Sequence, residues 1–474
     1  MKNLLSMEHE LTRHNVLNLR TKSFLQSLFK KFEDDGIKYC VLHSYEKILD
    51  EPMGDIDLAI DKKGLKKLWR IINGLSKIHG LVPVQKTNHD VPSAHKFIFS
   101  TGGKENQPLA LDFVHDDKGI NACLFNTKDI LKNRRKYKDI FYIPAQEDEF
   151  IFYLIKKIHK GYIDENKKEY LRKIYFENPY RCKQLLSKYI GIKNSQLLIK
   201  IILKEIIEAT ELTRILQRMK KSLWVRQFFQ KPQNAIIWAV LSLKRICHRV
   251  IYPQGLVISF ISPDGGGKST LANEISNVIG WAFDGRITRL HWRPGLLPFP
   301  YRLLQPKRWN EPEPPNTDPH GGNLQSPMLS LLRFLYYTAD YLLGYVPKIW
   351  WPKVRFNLVI LERYYYDFIY DRRRFNLNLP DFLPRFFMPL IPKVDLLFFL
   401  NGNPGDIYSR KKELSLETIR RQLADIKKLT KNLDNVYEIN VSRPLPEVVE
   451  EVRDIIIRYL ADRLRRREQK LHYG

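Results

Sequence analysis

Residues 256–270 read Leu-Val-Ile-Ser-Phe-Ile-Ser-Pro-Asp-Gly-Gly-Gly-Lys-Ser-Thr. The apolar run 256–261 has the pattern of a buried strand, and it feeds a glycine-rich turn followed by a lysine and two hydroxyls. Leu271, Ile275 and Val278 then recur at helical spacing, and Gly280 stands where a helix would stop. Strand, turn and helix in this order make a phosphate-binding loop. Gly265, Gly266 and Gly267 have no side chains, so the backbone can turn successive N–H groups toward phosphate oxygens at the start of a helix. Lys268 is then expected to reach the β- and γ-phosphates of ATP and Ser269 to ligate Mg²⁺, with Ser262, Asp264 and Thr270 completing the nucleotide-binding stretch. Ser262 occupies the place where such loops usually open with glycine. It is small enough for a tight turn but less permissive.

Working outward, the chain of 474 residues exceeds one ordinary core and calls for two or three domains. At 44% hydrophobic and 28% charged residues it has the composition of a folded globular protein. Lys and Arg outnumber Asp and Glu by 79 to 52, a net charge of +27, so its field attracts anions: nucleotides, nucleic acid or acidic lipid headgroups. No nucleic-acid-binding motif accompanies that charge, and sequence-specific nucleic-acid binding is not expected. Cys40, Cys123, Cys182 and Cys247 show no paired spacing, which argues against a zinc ribbon or a disulfide framework. The N-terminal apolar run is too short for a signal peptide, and the stretches 235–243 and 334–351 are too short or too interrupted to span a bilayer. A cytoplasmic protein is expected, with peripheral contact at the inner membrane face and dimerisation left open.

Three regions separate by pattern. Residues 1–145 combine a helical stripe of Phe24, Leu25, Leu28, Phe29 and Phe32 with β-rich runs at 37–42, 55–60, 95–100 and 109–114, an α+β domain. Residues 146–250 are dominated by helical patterns dense in Lys and Arg and read as a helical extension and linker. Residues 251–474 alternate strand and helix in the manner of a doubly wound parallel sheet, with strands expected at 256–261, 287–291, 357–361, 394–400 and 436–441. A Pro-rich insertion at 298–327 interrupts this α/β domain. It reads equally as a loop over a site or as disorder.

Residues 256 to about 460 resemble the thymidylate kinase family of P-loop nucleoside monophosphate kinases. Asp264–Thr270 resembles the family's Asp-Gly-x-Gly-Lys-[Ser/Thr]-Thr loop; Arg293-Pro294-Gly295 looks like its Arg-Glu-Pro-Gly segment; and Glu362-Arg363-Tyr364 looks like its Asp-Arg-Tyr. Tyr337-Thr-Ala-Asp-Tyr341 falls where the family has Phe-x-Ala-Asp/Asn-Arg. The resemblance implies ATP and Mg²⁺ as cofactors and phosphoryl transfer to a nucleotide or other phosphorylated acceptor. It implies that Glu362 orders a metal-bound water, that Arg363 and Arg293 neutralise the acceptor phosphate, and that Asp264 holds the acceptor's sugar hydroxyl. It also makes Arg410, with Lys411 and Lys412, candidates for a closing lid. A surface ion pair at Glu362-Arg363 and a solvated basic face at 410–412 are the plainer alternatives. Tyr337 can stack on an acceptor base, but Tyr341 replaces the Arg that would hydrogen-bond it, so selection for thymine is not expected. Tyr364 and its neighbours could serve a sugar or lipid-linked acceptor, or simply pack a core.

A second carboxylate set lies in Gly54-Asp55-Ile56-Asp57-Leu58. Asp55 and Asp57 alternate on a strand and face one side, and Asp112 interrupts another apolar run. This arrangement resembles the nucleotidyltransferase superfamily, which implies that Asp55, Asp57 and Asp112 hold metal ions beside a nucleotide triphosphate. His43-Ser44 takes the place of the family's phosphate-cradling Gly-Ser turn, without its glycine. Turn-making or ion-paired strand-end carboxylates are the alternative. His159, His248 and His291 show no metal-binding spacing.

The expectation from sequence is therefore a multidomain phosphotransferase: a nucleotidyltransferase-like α+β domain, a helical connector and a P-loop domain of the thymidylate kinase kind. Its alternatives are an enzyme modifying a sugar or lipid-linked intermediate of surface-polymer synthesis, and a nucleotide-binding regulatory protein without turnover.

Overall fold

The computed structural model describes residues 19–43, 45–48, 54–87, 94–102, 108–115, 127–163, 165–203, 208–230, 232–300, 320–322 and 324–473. Ser44 of the expected phosphate turn, Cys123 and the 301–319 part of the Pro-rich insertion lie outside them. The chain divides into two compact units, Met1–Cys247 with Ala461–Gly474, and His248–Leu460.

In the first unit the strands are β1 (Tyr39–Val41), β2 (Gly54–Ile60), β3 (Val82–Thr87), β4 (Ala94–Ser100) and β5 (Leu109–Val114). They form a mixed sheet in the order β1-β2-β5-β4-β3, in which only β2 and β5 run parallel. The stripe of Phe24, Leu25, Leu28, Phe29 and Phe32 is fully buried, and it packs with Tyr39, Leu58, Leu111 and Phe113 into one apolar core. The sequence pattern does not reveal β3, because Pro83 and Lys86 break its apolar run; antiparallel pairing with β4 holds it. A hairpin of β6 (Arg135–Tyr137) and β7 (Phe141–Ile143) follows. The helices Gln146–Lys160, Glu165–Glu177, Pro179–Ile190 and Ile192–Leu203 bury a second cluster around Phe150, Leu154, Leu171, Leu186 and Leu198.

The second unit is built on a five-stranded sheet whose pairings are all parallel: β8 (Leu256–Ile261), β9 (Ile287–Leu290), β10 (Leu358–Leu361), β11 (Leu396–Asn401) and β12 (Val436–Asn440), in the order β12-β11-β8-β10-β9. Every residue of β8 and β10 is buried, which explains their continuous apolar runs: a central parallel strand faces a core on both sides. Strand order reverses beside β8, the strand that carries the glycine loop, so its C-terminal end and that of β10 open onto the same crevice. The helix Lys268–Ile279 leaves the loop with Leu271, Ala272, Ile275 and Ile279 buried. Among the described residues no helix is long and apolar enough to cross a membrane.

Phe399 lies in the middle of β11 and is 1% exposed. Replacing it with Ala should cost about 3–5 kcal/mol, read as a lowered midpoint of the second unit's transition in chemical denaturation.

Candidate functional site

The turn after β8 takes its shape from two glycines. Gly265 sits at φ +86°, where a Cβ would also come within 2.7 Å of the Ile407 carbonyl. A Cβ on Gly266 would lie 1.8 Å from the Ser262 hydroxyl. Any side chain at either position would have to displace backbone or loop atoms. The loop folds around its own lysine: Lys268 Nζ donates to the carbonyls of Ser262 (2.7 Å) and Pro263 (2.9 Å) and lies 3.7 Å from the Asp264 carboxylate. Burial, reinforced by the nearby Arg363 charge, pulls the Lys268 ammonium down to about 8.

A cavity of about 850 Å³ opens over this loop. Of the residues expected to act here, Asp264, Gly265, Gly267, Lys268, Ser269, Thr270, Tyr337, Glu362, Arg363 and Arg410 line it. Glu362, just past β10, accepts from Ser269 Oγ (2.5 Å) and Arg289 (2.7 Å) and lies 3.4 Å from His291 Nδ1. The His291 hydrogen bond, ahead of the one from Ser269, holds the Glu362 carboxyl down to about 2. A hydroxyl and an ionised carboxylate side by side are the hard oxygen donors that Mg²⁺ prefers, and one carboxylate suffices where phosphates and waters supply the remaining ligands. Ser269 and Glu362 fit that group.

Asp264 is the centre of a second cluster. Its carboxylate accepts from Arg363 and Arg374, and Arg363 also donates to Asp367 (2.8 Å), which accepts from the Tyr370 hydroxyl (2.6 Å). Burial works to raise the Asp264 carboxyl, but Arg363, Lys268 and Arg374 together hold it well below the usual carboxylate range. Burial likewise opposes the Arg363 charge, and Asp367 and Asp264 more than restore it. Arg363 is thus a buried, doubly paired guanidinium and not the surface ion pair that its sequence context also allowed. Arg410 closes the helix Pro404–Arg410 with a bond to the Val441 carbonyl (2.8 Å), and Lys411 beside it lines the cavity and pairs with Glu413 (2.8 Å).

Three expected site residues stand elsewhere. Arg293 donates to Asp340 (2.7 Å) and to the Leu297 carbonyl (2.6 Å), while Asp340 accepts from the Gly295 and Leu297 amides. Its guanidinium is committed to bracing the segment after β9, and it is not among the cavity's lining residues. Tyr341 is fully buried among Tyr364, Tyr365 and Phe368, with its hydroxyl on the Trp292 carbonyl (3.2 Å). It does not line the cavity but supports Trp292, which does. Tyr364 is also buried, donating to the Pro392 carbonyl at 2.6 Å. Core packing explains both.

Sequence reasoning passed over part of the cavity wall. Trp292 and Phe375 stack with centroids 4.9 Å apart and planes at 17°, Phe299 lies beside Trp292, and Arg333, Arg374 and Asn376 add polar groups. The run Arg372-Arg373-Arg374 carried a charge signal for Arg374, and nothing local distinguishes Trp292 from a core residue.

The carboxylates of the first unit have other partners. Asp57 accepts from Lys156 (2.6 Å) and faces His43 Nε2 (2.5 Å), and Asp55 pairs with Lys96 (3.1 Å). Burial would raise the Asp57 carboxyl, but the His43 hydrogen bond and the Lys156 charge hold it well below its usual range. Asp112 is pushed up to about 7, by burial first and then by the charge of Asp57. Asp57 and Asp112 are in register on neighbouring strands, and among the described residues no group of three or more His, Cys, Asp or Glu side chains is arranged to hold a metal ion.

No family model matches this chain, and no curated protein matches it. Among solved structures, the crystal structure of thymidylate kinase from Ehrlichia chaffeensis aligns with 43% of this chain and 98% of its own, at 16% identity and a TM-score of 0.29. That likeness is too slight to bear on fold or function.

Because Tyr341 is enclosed, Tyr341→Arg should not create a base-reading donor at the cavity. It should bury an unpaired charge and lower stability by more than about 3 kcal/mol in denaturant titration.

Proposed function

We propose that the chain is an ATP- and Mg²⁺-dependent phosphotransferase whose chemistry resides in the second unit. The observation that carries this reading is the meeting, at the C-terminal ends of β8 and β10, of a loop-bound lysine, a hydroxyl–carboxylate pair and a carboxylate held between two arginines. Transfer of a phosphoryl group between two anions requires such a division: cations at the transferred group, oxygen donors for a metal, and cations for the acceptor.

In this proposal the backbone N–H groups of the glycine loop and the start of the helix Lys268–Ile279 bind the donor phosphates. Lys268 exchanges its carbonyl contacts for the β/γ-phosphate oxygens. Ser269 and Glu362 would hold Mg²⁺, which would supply positive charge to offset that of the donor phosphates. In this reading Arg363 and Arg374 receive the acceptor's phosphate, with Asp264 holding both guanidinium groups in position until it arrives. An acceptor oxygen forms the new P–O bond to the γ-phosphorus while the bond to the β-phosphate oxygen breaks, and ADP leaves. The acceptor's apolar face would lie against Tyr337 and the Trp292–Phe375 stack.

The acceptor we place first is a nucleoside monophosphate. Sugar phosphates are the second reading, since Tyr341 supplies no donor to a base and the wall beside Arg333 and Asn376 is aromatic and unspecific. Mass spectrometry of mixtures of ATP, Mg²⁺ and each acceptor pool separates the two, and ATP left unconsumed with every pool would count against an enzyme.

Lys268→Ala should reduce turnover by about 10² or more with the fold retained, as expected for the loss of one preorganised charge. Parental rates would remove residues 262–270 from the chemistry. Arg374→Ala should raise KM for the acceptor at least about tenfold while leaving KM for ATP within about twofold, measured by initial rates with each substrate varied in turn.

A further inference from the structure

The row of charge across the first unit's sheet has a specific construction. Asp57 on β2 is in register with Asp112 on β5, and Asp112 is in register with Lys96 on β4, so carboxylate, carboxylate and ammonium stand side by side. Lys96 reaches along the sheet to Asp55, with Nζ 3.1 Å from one oxygen and 3.3 Å from the other. From above, the helix Gln146–Lys160 contributes Lys156, whose Nζ lies 2.6 Å from Asp57 Oδ2 and 2.8 Å from His43 Nε2. His43, just past β1, approaches the same Asp57 oxygen at 2.5 Å.

We propose that Lys156 at Asp57 and Lys96 at Asp55 stand in for divalent metal, so that these two carboxylates are neutralised from within and the first unit takes no metal-dependent nucleotidyl-transfer role, while Asp112 beside them keeps a buried oxygen without a hydrogen-bond partner among the described residues. The resemblance of this region to nucleotidyltransferases implies a metal; the donor set does not accommodate one. Two cationic or hydrogen-bonding nitrogens already share Asp57 Oδ2, and a dication on that oxygen would lie beside an ammonium that repels it. Asp57 is 13% exposed at its side chain, so water screens this repulsion poorly. The pairing is also built for permanence, because Lys156 projects from a helix held by Phe150, Leu154 and Ile158 in the apolar core. An ammonium placed this way balances the carboxylate without needing phosphate to complete its coordination, as a metal ion would. The inference is independent of the reaction assigned to the second unit.

The test counts Mn²⁺ bound per full-length chain, by electron paramagnetic resonance of the free ion in the absence of nucleotide. The second unit is unchanged in every variant, so differences report the first unit alone. The parent, Asp57→Asn and Asp55→Asn should bind equal numbers of ions. The double variant Lys96→Met/Lys156→Met should gain one site per chain, and adding Asp57→Asn to it should remove that site. Loss of an ion from the parent on Asp57→Asn or Asp55→Asn would overturn the proposal. So would a Lys96→Met/Lys156→Met protein, folded by circular dichroism, that gains none.

Discussion

A buried carboxylate between two guanidinium groups is the constraint around which the second unit is arranged. Asp264 accepts from Arg363 and Arg374 and lies close to Lys268, so three cations that would otherwise repel one another share one pocket. Charges taken out of water are costly unless paired and hydrogen-bonded, and each cation here has such partners: Arg363 has Asp367 as well, and Lys268 has two loop carbonyls. The site can therefore hold a concentration of positive charge in a folded protein before any phosphate is present. Incoming phosphate oxygens would replace contacts that already exist, which keeps the reorganisation on binding small.

Strand order turns this pairing into a site. Asp264 follows β8, Arg363 follows β10, and these strands are neighbours in a parallel sheet, so both residues emerge at the same edge. Arg374 arrives from the short turn Arg372–Phe375, whose Phe375 is fixed against Trp292. The aromatic wall and the charge cluster are consequently one piece of structure. Tyr341 and Arg293 belong to its support: one packs beneath Trp292 and the other, through Asp340, ties down the segment after β9.

The first unit applies similar residue types to a different end. Asp55 and Asp57 are matched by lysines at close range. In the second unit one carboxylate is shared by two guanidinium groups beside a cavity; in the first, single lysines pair with Asp55 and Asp57. The side-chain inventory alone cannot separate these two outcomes, since both set carboxylates beside basic side chains.

Local sequence was enough for the glycine-rich loop, because strand, turn and helix there are contiguous and each follows from short-range chemistry: an apolar run, three glycines, a helical stripe. The strands β8, β10 and β11 of the parallel sheet were legible for the same reason, their continuous apolar runs reflecting burial on both faces. Glu362 and Arg363 were readable from their position at a strand end. Four things were decided only in three dimensions: that Arg374 joins Asp264 across 110 residues, that Arg293 is committed to Asp340, that Tyr341 is enclosed, and that Lys156 reaches Asp57 across 99 residues. Periodicity and motif spacing report what a residue does within its own strand or helix. Which charge neutralises which is set by long-range packing, and that determines whether an arginine meets a ligand or holds up a wall.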